Sequence, residues 1–133
     1  MSDIPSSPAG VPLSPFAEWF GLTILRAEPE VAEVGLTVQA HHLNKFGNAH
    51  GGVCLSLSDH ACGALLSAIA PDEFFATVTL TSAFFAPVSP GNLLATARLT
   101  ARSRSLAHIE ASVTQHGTLV FRASGSFAIR PRR

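Results

Sequence analysis

"HHLNKFGNAHGGVCLSLSDHACGALLSAIA", residues 41–70, decides the fold of this 133-residue chain. From Val53 to Ala70 the sequence is apolar or small at nearly every position, which is typical of a helix buried on all sides. Gly51 and Gly52 precede this run, and Pro71 ends it. A helix without a polar face needs cover on every side, so the rest of the chain must wrap around it.

The sequence on either side of this helix predicts one short helix and six strands. Ser14 is expected to cap the short helix, and Pro15 to be its first residue. A loop is expected at 41–49, directly before the long helix. The predicted strands are 22–27, 31–39, 74–87, 92–102, 105–116 and 118–129, joined by turns at 28–30, 89–92, 102–105 and 116–118. The last four strands follow one another, so we expect them to form an antiparallel meander.

A long antiparallel sheet curled around one buried helix is an α+β architecture known as the hotdog fold. The chain length fits a single such domain over residues 14–133. The Pro- and Ser-rich residues 1–13 are expected to be a disordered N-terminal segment. Hydrophobic residues make up 47% of the chain and charged ones only 14%, so we expect another subunit to cover part of the surface.

Charge and cysteine content exclude several classes of function. The formal net charge is zero, so no electric field attracts a polyanion, and nucleic-acid binding is excluded. Asp59 and His60 lie at the centre of the apolar run, which excludes a membrane span. Cys54 and Cys62 lie about 12 Å apart on the predicted helix, too far for a disulfide. Reduced thiols and the lack of a signal peptide predict a cytoplasmic protein.

The start of the buried helix is the first candidate for chemistry. Its first N–H groups lack partners within the helix, and Gly51 and Gly52 let a ligand approach them closely, so they are candidates for an oxyanion hole. His50 is a candidate to orient a carbonyl, and Asn44 to hydrogen-bond a carbonyl or a water. Structural roles remain open: the glycines turn the loop, His50 caps the helix, and Asn44 shapes a turn.

Asp59 is the second candidate, because it is an isolated acid within an apolar helix. It lies about 12 Å along the helix from Gly51 and on another face. One chain therefore cannot bring both groups to one atom. If they act together, the helix start of one subunit must face Asp59 of its partner across a two-fold interface. The alternative is a structural acid bonded to a hydroxyl or an arginine.

Two other chemistries lack support in the sequence. The histidines and the acid within residues 41–60 fit no common zinc spacing, so we expect no metal and no cofactor. Nothing around Cys54 or Cys62 marks an activated thiol, and Ser56 and Ser58 lack the surroundings of a serine nucleophile. A covalent Ser or Cys intermediate is therefore not predicted.

The stretch N-K-F-G-N-A-H-G-G-V-C-L-S-L-S-D resembles the motif of the PaaI-like acyl-CoA thioesterases of the hotdog superfamily. Both have an Asn, five residues, His-Gly-Gly and then an Asp within the helix, and coarser similarity extends over almost the whole chain. The resemblance implies a thioester hydrolase that cleaves aromatic or medium-chain acyl-CoA to free acid and CoA. It also implies a homodimer as the minimum unit, a homotetramer as the expected assembly and an active site at the dimer interface.

The resemblance also implies roles for single residues. The Gly51 N–H, helped by His50, polarises the thioester carbonyl, and Asp59 of the partner subunit activates a water or attacks directly. Asn44 helps to hold the carbonyl or the water. Thr77 hydrogen-bonds the water or Asp59, although a β-branched residue here is equally explained as a strand former.

The resemblance applies less directly to three other positions. Arg102 and Arg104 are assigned as contacts to the phosphates of coenzyme A, but Ser103 stands between them where many relatives have Gly. His60 is unusual directly after the acid, and it either tunes Asp59 or packs. The function that competes with hydrolysis is a non-catalytic hotdog module that binds acyl-CoA. The His and acid pattern of a hotdog dehydratase is not visible in residues 1–133.

Overall fold

The structure, a computed structural model, describes residues 11–132. Its elements in chain order are α1 (Pro15–Phe20), β1 (Thr23–Ala27), β2 (Val31–Val38), a 3-10 turn (Ala40–His42), α2 (Gly51–Ile69), β3 (Glu73–Phe84), β4 (Gly91–Arg102), β5 (Leu106–Gln115) and β6 (Thr118–Pro131). Most of the segment predicted to be disordered, residues 1–13, lies outside the described residues. Its last part is described, and there Val11 and Leu13 pack, partly buried, against the core.

The six strands form one antiparallel sheet in the order β1-β2-β4-β5-β6-β3. The long helix α2 contacts every strand of this sheet, and nine of its residues are buried. The predicted α+β hotdog architecture is therefore confirmed. By length and composition α2 is also the one helix in residues 11–132 that is apolar enough to cross a membrane, but here it is the central helix of the domain.

The strand order corrects the predicted meander. β4, β5 and β6 are neighbours in sequence order, but β3 lies at the far edge beside β6, while β4 pairs with β2. Residues 85–90 therefore cross from the edge of the sheet to its middle, and residues 89–92 form no hairpin turn. This crossing segment is anchored where Phe85 N–H donates to the Val120 carbonyl (2.9 Å) and Gln115 Nε2 donates to the Ser89 carbonyl (2.8 Å).

The long helix begins two residues earlier than expected, at Gly51, and ends at Ile69. The loop before it is tied to α1 by His42, which is buried. His42 Nδ1 accepts from Gln39 N–H (2.9 Å), and Nε2 donates to the Phe20 carbonyl (2.8 Å), so both ring nitrogens are satisfied in the neutral ring. α1 itself begins as predicted, with Ser14 Oγ accepting from Ala17 N–H at 3.1 Å.

The edge strand β3 contains a β-bulge, because its register against β6 shifts between Thr77 and Thr79. Thr77, before the bulge, hydrogen-bonds a side chain of α2. Leu80, after the bulge, packs against the core near Gly125 of β6. Both side chains therefore face the helix although they are three residues apart, which a regular strand does not allow.

Gly125→Ala is expected to lower the free energy of unfolding by about 1–3 kcal/mol. A Cβ at this position would lie 2.7 Å from Phe127 Cε1 and 3.0 Å from Leu80 Cδ1, and the Phe127 ring is fully buried. Urea titration measures the change. Ser124→Ala, on the exposed face of the same strand, is the control and should alter stability by no more than about 0.5 kcal/mol. Equal stability of the two variants would contradict this account of the packing.

Candidate active site

The start of α2 presents one unpartnered backbone donor. His50 caps the helix, because its Nδ1 accepts from Gly52 N–H at 2.9 Å. A Cβ on Gly52 would lie only 3.2 Å from that nitrogen, so glycine permits the close approach. The Gly51 N–H donates to no group within residues 11–132, and Gly51 is exposed. It therefore leaves one free donor at the positive end of the helix dipole.

The Asn44 side chain closes the loop that leads to this helix start. Asn44 Oδ1 accepts from Phe46 N–H (2.8 Å) and from Asn48 N–H (3.2 Å), so the oxygen is fully used within the loop. Its Nδ2 has no partner among residues 11–132 and remains a donor. The neutral ring of His50, which accepts at Nδ1, likewise keeps its second nitrogen as an N–H donor.

These three residues share one cleft of about 440 Å³, which we call the helix-start cleft. Asn44, His50 and Gly51 line it. Phe84, the last residue of β3, and Phe85, which follows it, also line it, and the Phe84 ring lies beside Gly51. The helix-start cleft thus collects backbone and side-chain donors together with aromatic rings.

Asp59 lies in a different cleft of about 320 Å³, which we call the acid cleft. Thr77 Oγ1 donates to Asp59 Oδ1 at 2.7 Å, so the structure brings these two predicted site residues together. The hydrogen bond fixes the orientation of the carboxylate and leaves Oδ2 without a partner in the described part of the chain. Asp59 and Gly51 lie on α2 about 12 Å apart, and neither of the two clefts contains both.

The two arginines assigned to coenzyme A lie at the acid-cleft end of the sheet. Arg102 ends β4, and its Nη2 is 3.9 Å from Oε2 of Glu73, the first residue of β3. Arg104 is exposed in the turn between β4 and β5. Ser103 shapes this turn by accepting from Leu106 N–H at 3.2 Å.

His60 packs and does not hydrogen-bond Asp59. Its Nδ1 donates to the Ser56 carbonyl at 2.8 Å, and its ring stacks on Phe16 with ring centroids 5.6 Å apart. His60 lines the acid cleft together with residues 11–14, which sequence reasoning did not assign to a site. No periodicity or motif in that Pro- and Ser-rich stretch gave a signal for this position.

The two cysteines are unsuited to nucleophilic chemistry. Burial raises the pKa of the Cys54 thiol to about 11. Burial and, to a smaller extent, the charge of Asp59 raise the pKa of Cys62 to about 12. Within residues 11–132 no three His, Cys, Asp or Glu side chains are grouped so that they hold a metal ion.

An apolar helix inside a curved six-stranded antiparallel sheet defines a hotdog protein. The sequence model of the thioesterase superfamily matches residues 46–121, so the chain belongs to that superfamily. The predicted PaaI-like resemblance is confirmed by solved structures, and superfamily membership supports the prediction of a hydrolase.

Two solved structures cover nearly all of the chain. The conserved protein PA5202 from Pseudomonas aeruginosa is 31% identical with a TM-score of 0.85, covering 88% of this chain and 94% of that one. A point mutant of the phenylacetic acid degradation protein PaaI from Thermus thermophilus is 30% identical with a TM-score of 0.81, covering 86% and 98%. A curated relative from Deinococcus radiodurans carries a provisional esterase name and is 50% identical over 46 residues. That match spans 32% of the relative.

Folded protein at pH 8 is expected to react with a colorimetric thiol reagent at least about 100-fold more slowly than protein in denaturant. The thiolate is the reactive form, and a raised pKa keeps the thiol protonated until the pH approaches 11 at Cys54. The rate in the folded state should therefore rise with pH between 8 and 11. Rapid labelling of both thiols in folded protein at pH 8 would contradict the burial of Cys54 and Cys62.

Proposed function

We propose that this protein hydrolyses acyl-CoA thioesters with aromatic or medium-chain acyl groups, at a site shared by two copies of the chain. One observation carries the proposal. The free donor of Gly51 and the Thr77-bound carboxylate of Asp59 are the complementary halves of a hydrolytic site, and the fold holds them in separate clefts. Each half is incomplete without a second copy.

The edge strand β3 is the surface at which we expect the two copies to meet. It has a neighbouring strand on one side only, and large apolar side chains stay exposed along it, including Phe74 (58%), Val78 (58%) and Phe84 (54%). An exposed apolar edge strand is a template for pairing with another chain. Antiparallel pairing of two β3 strands joins the sheets and covers this edge.

The positions of the two half-sites along β3 define the register of that pairing. A Cβ at Gly51 would lie 3.6 Å from the Phe84 ring, so the helix start lies beside the end of β3. Asp59 lies beside Thr77. A two-fold axis between Leu80 and Thr81 sets Thr77 of one copy opposite Phe84 of the other. Gly51 of each copy then faces Asp59 of the partner subunit, which gives two sites per dimer.

In this site the helix start binds the reacting carbonyl. The thioester oxygen accepts from the Gly51 N–H, and the second ring nitrogen of His50 and Asn44 Nδ2 are available as further donors. When the carbonyl carbon becomes tetrahedral, its oxygen becomes negative, and the helix dipole stabilises that charge. Loss of one such donor typically slows a reaction by about 10² to 10³.

Asp59 of the partner subunit acts as the general base. Oδ2 takes a proton from a water whose oxygen attacks the carbonyl carbon, and Thr77 holds Oδ1 so that Oδ2 faces that water. The C–S bond then breaks as the carbonyl re-forms, the sulfur leaves with the bonding pair and takes from Asp59 the proton that came from the water, and the acid and the thiol are released with Asp59 again a carboxylate. Single turnover in ¹⁸O-water separates this route from direct attack by Asp59 followed by hydrolysis of the mixed anhydride at the aspartyl carbonyl, because that second route places an enzyme oxygen in the acid and leaves the label on Asp59.

Arg102 and Arg104 are proposed to pair with the phosphates of coenzyme A, because guanidinium groups bind phosphate oxygens in a bidentate manner. Both lie at the sheet end where β3 begins, on the side of the acid cleft.

The homotetramer and the cytoplasmic location stay predictions from the sequence. Tight binding of acyl-CoA by wild type without release of CoA would identify a binding module instead of an enzyme.

Asp59→Asn is expected to lower kcat by about 10² to 10⁴, because the amide cannot accept the proton of the attacking water. Thr77→Val should lower kcat less, by about tenfold, because the carboxylate remains but loses its orienting bond. Thr79→Val, on the other side of the bulge, is the matched control and should keep wild-type kcat. Colorimetric detection of released CoA measures all three. Full activity of Asp59→Asn would overturn the proposed base.

Gly51→Pro removes the free N–H with little change to the fold. Proline is favoured at the first position of a helix, and the preceding His50 already has the extended φ −58° and ψ 144° that a following proline requires. We expect kcat to fall by about 10² to 10³. Gly51→Ala keeps the N–H, and its Cβ would make only an ordinary contact, so it should retain most activity.

Mixing two inactive variants tests the shared site directly. Co-expressed Gly51→Pro and Asp59→Asn chains form mixed dimers in which one site combines an intact Gly51 with an intact Asp59. With random pairing, half of the dimers are mixed and carry one good site each, so activity should return to about a quarter of wild type. A mixture as inactive as its components would show that both groups act within one chain or not at all.

A further inference from the structure

We infer that the acid cleft is the slot for the acyl group and that Gly63 sets the length of the group it accepts. The inference rests on the proposed function only in taking Asp59 as the reacting end of the slot. It assigns a role to a cavity wall and to a glycine that the chemical step does not use.

The acid cleft extends from Asp59 in one direction only. The residues of α2 that line it are Asp59, His60, Gly63, Ala64 and Ser67. All of them lie at or beyond the acid, toward the C-terminus of the helix, and the distance from the first to the last is about 12 Å. A ligand that reacts beside Asp59 therefore has room to extend past Gly63 toward Ser67, in a volume of about 320 Å³.

Apolar side chains form the larger part of the wall of this slot, and the hydroxyls of Ser14, Ser67 and Thr77 line it beside Asp59 and His60. Phe75 of β3 and Phe127 of β6 line it from the sheet, Ile24 of β1 adds a third apolar surface, and residues 11–14 close a further side. Among the described residues of the lining, Asp59 and His60 are the only ones with titratable side chains. Such a slot suits a hydrocarbon or aryl group and offers no cation to a phosphate.

Gly63 is not explained by backbone conformation or by packing. Its φ lies outside the left-handed range, and a Cβ built on it would meet only Phe75 Cε1, at an ordinary contact distance of 3.8 Å. A glycine inside a helix costs about 0.5–1 kcal/mol relative to alanine. The feature that its missing side chain preserves is open space in the slot, one helical turn beyond Asp59.

Residues 11–14 and His60, which line the slot, make contacts outside it. Val11 and Leu13 pack against the core, and Ser14 caps α1. The His60 ring is backed by Phe16 and tethered to the helix backbone. Because Gly63 itself lines the slot, a bulky side chain at residue 63 is expected to project into it and to shorten it.

The test compares Gly63→Leu with Gly63→Ala and with Ala68→Leu, a bulky change on the same helix outside the cleft. Two readouts are taken for groups of two to twelve carbons and for phenylacetyl: kcat/KM with acyl-CoA esters, and binding of the matching non-hydrolysable S-alkyl-CoA thioethers by calorimetry. Gly63→Leu should lose about tenfold to a hundredfold in both readouts for medium-chain and phenylacetyl groups, and should change little for acetyl. Gly63→Ala should show a smaller shift, and Ala68→Leu none.

The outcomes separate this inference from the proposed function. If wild type binds the longer thioethers but does not turn over the esters, and Gly63→Leu binds only the short thioethers, the slot is supported and hydrolysis is refuted. Turnover with a length profile that Gly63→Leu leaves unchanged would refute the slot and leave hydrolysis standing. Wild-type protein that binds no thioether of any length would overturn the slot. Melting temperature monitors folding of each variant, and Gly63→Ala keeps the test valid if the leucine variant fails to fold.

Discussion

The burial of α2 is the constraint on which the structure depends. A helix without a polar face leaves no side that water can solvate, so the sheet must curve until every strand contacts it. Packing against α2 therefore determines which strands are neighbours, and their order in the sequence does not. β3 extends the sheet beyond β6 at the far edge, and residues 85–90 make the long crossing that this arrangement needs.

The same helix positions the candidate site residues. At its exposed start the cap by His50 satisfies the Gly52 amide, while the amide of Gly51 stays free of partners within residues 11–132 at the positive end of the helix dipole. Two turns later the helix carries Asp59, whose carboxylate accepts a hydrogen bond from the Thr77 hydroxyl. In the proposed dimer the Gly51 donor of one copy faces the Asp59 carboxylate of the other, so dimer formation and catalysis both depend on the surface at β3.

Local signals in the sequence predicted the elements well. The apolar run indicated α2, Ser14 and Pro15 indicated the start of α1, and strand-like runs between turn residues indicated all six strands to within a few residues. Residue type and spacing singled out Asn44, His50, Gly51 and Asp59 as candidates, the family resemblance added Thr77, and helix geometry alone separated Asp59 from Gly51. Whether these residues act as proposed stays a prediction.

What the sequence could not supply depends on contacts between distant segments. Strand order is decided by packing against α2, so the position of β3 beside β6 was missed. Residues 11–13 belong to the segment predicted to be disordered, and only the folded structure shows that they line the acid cleft, with Val11 and Leu13 against the core. The role of Gly52 was also hidden, because the close approach of His50 Nδ1 to its amide is a detail of the folded loop.

The bulge in β3 ties together both halves of the site within one strand. Thr77 lies before the extra residue and Phe84 after it, and both face the helix only because Val78 interrupts the alternation. Removing one residue here would turn one of the two half-sites outward, however well the remaining side chains matched. An insertion or deletion between Thr77 and Phe84 is therefore expected to be more damaging than an exchange of one exposed amino acid for another within the same stretch.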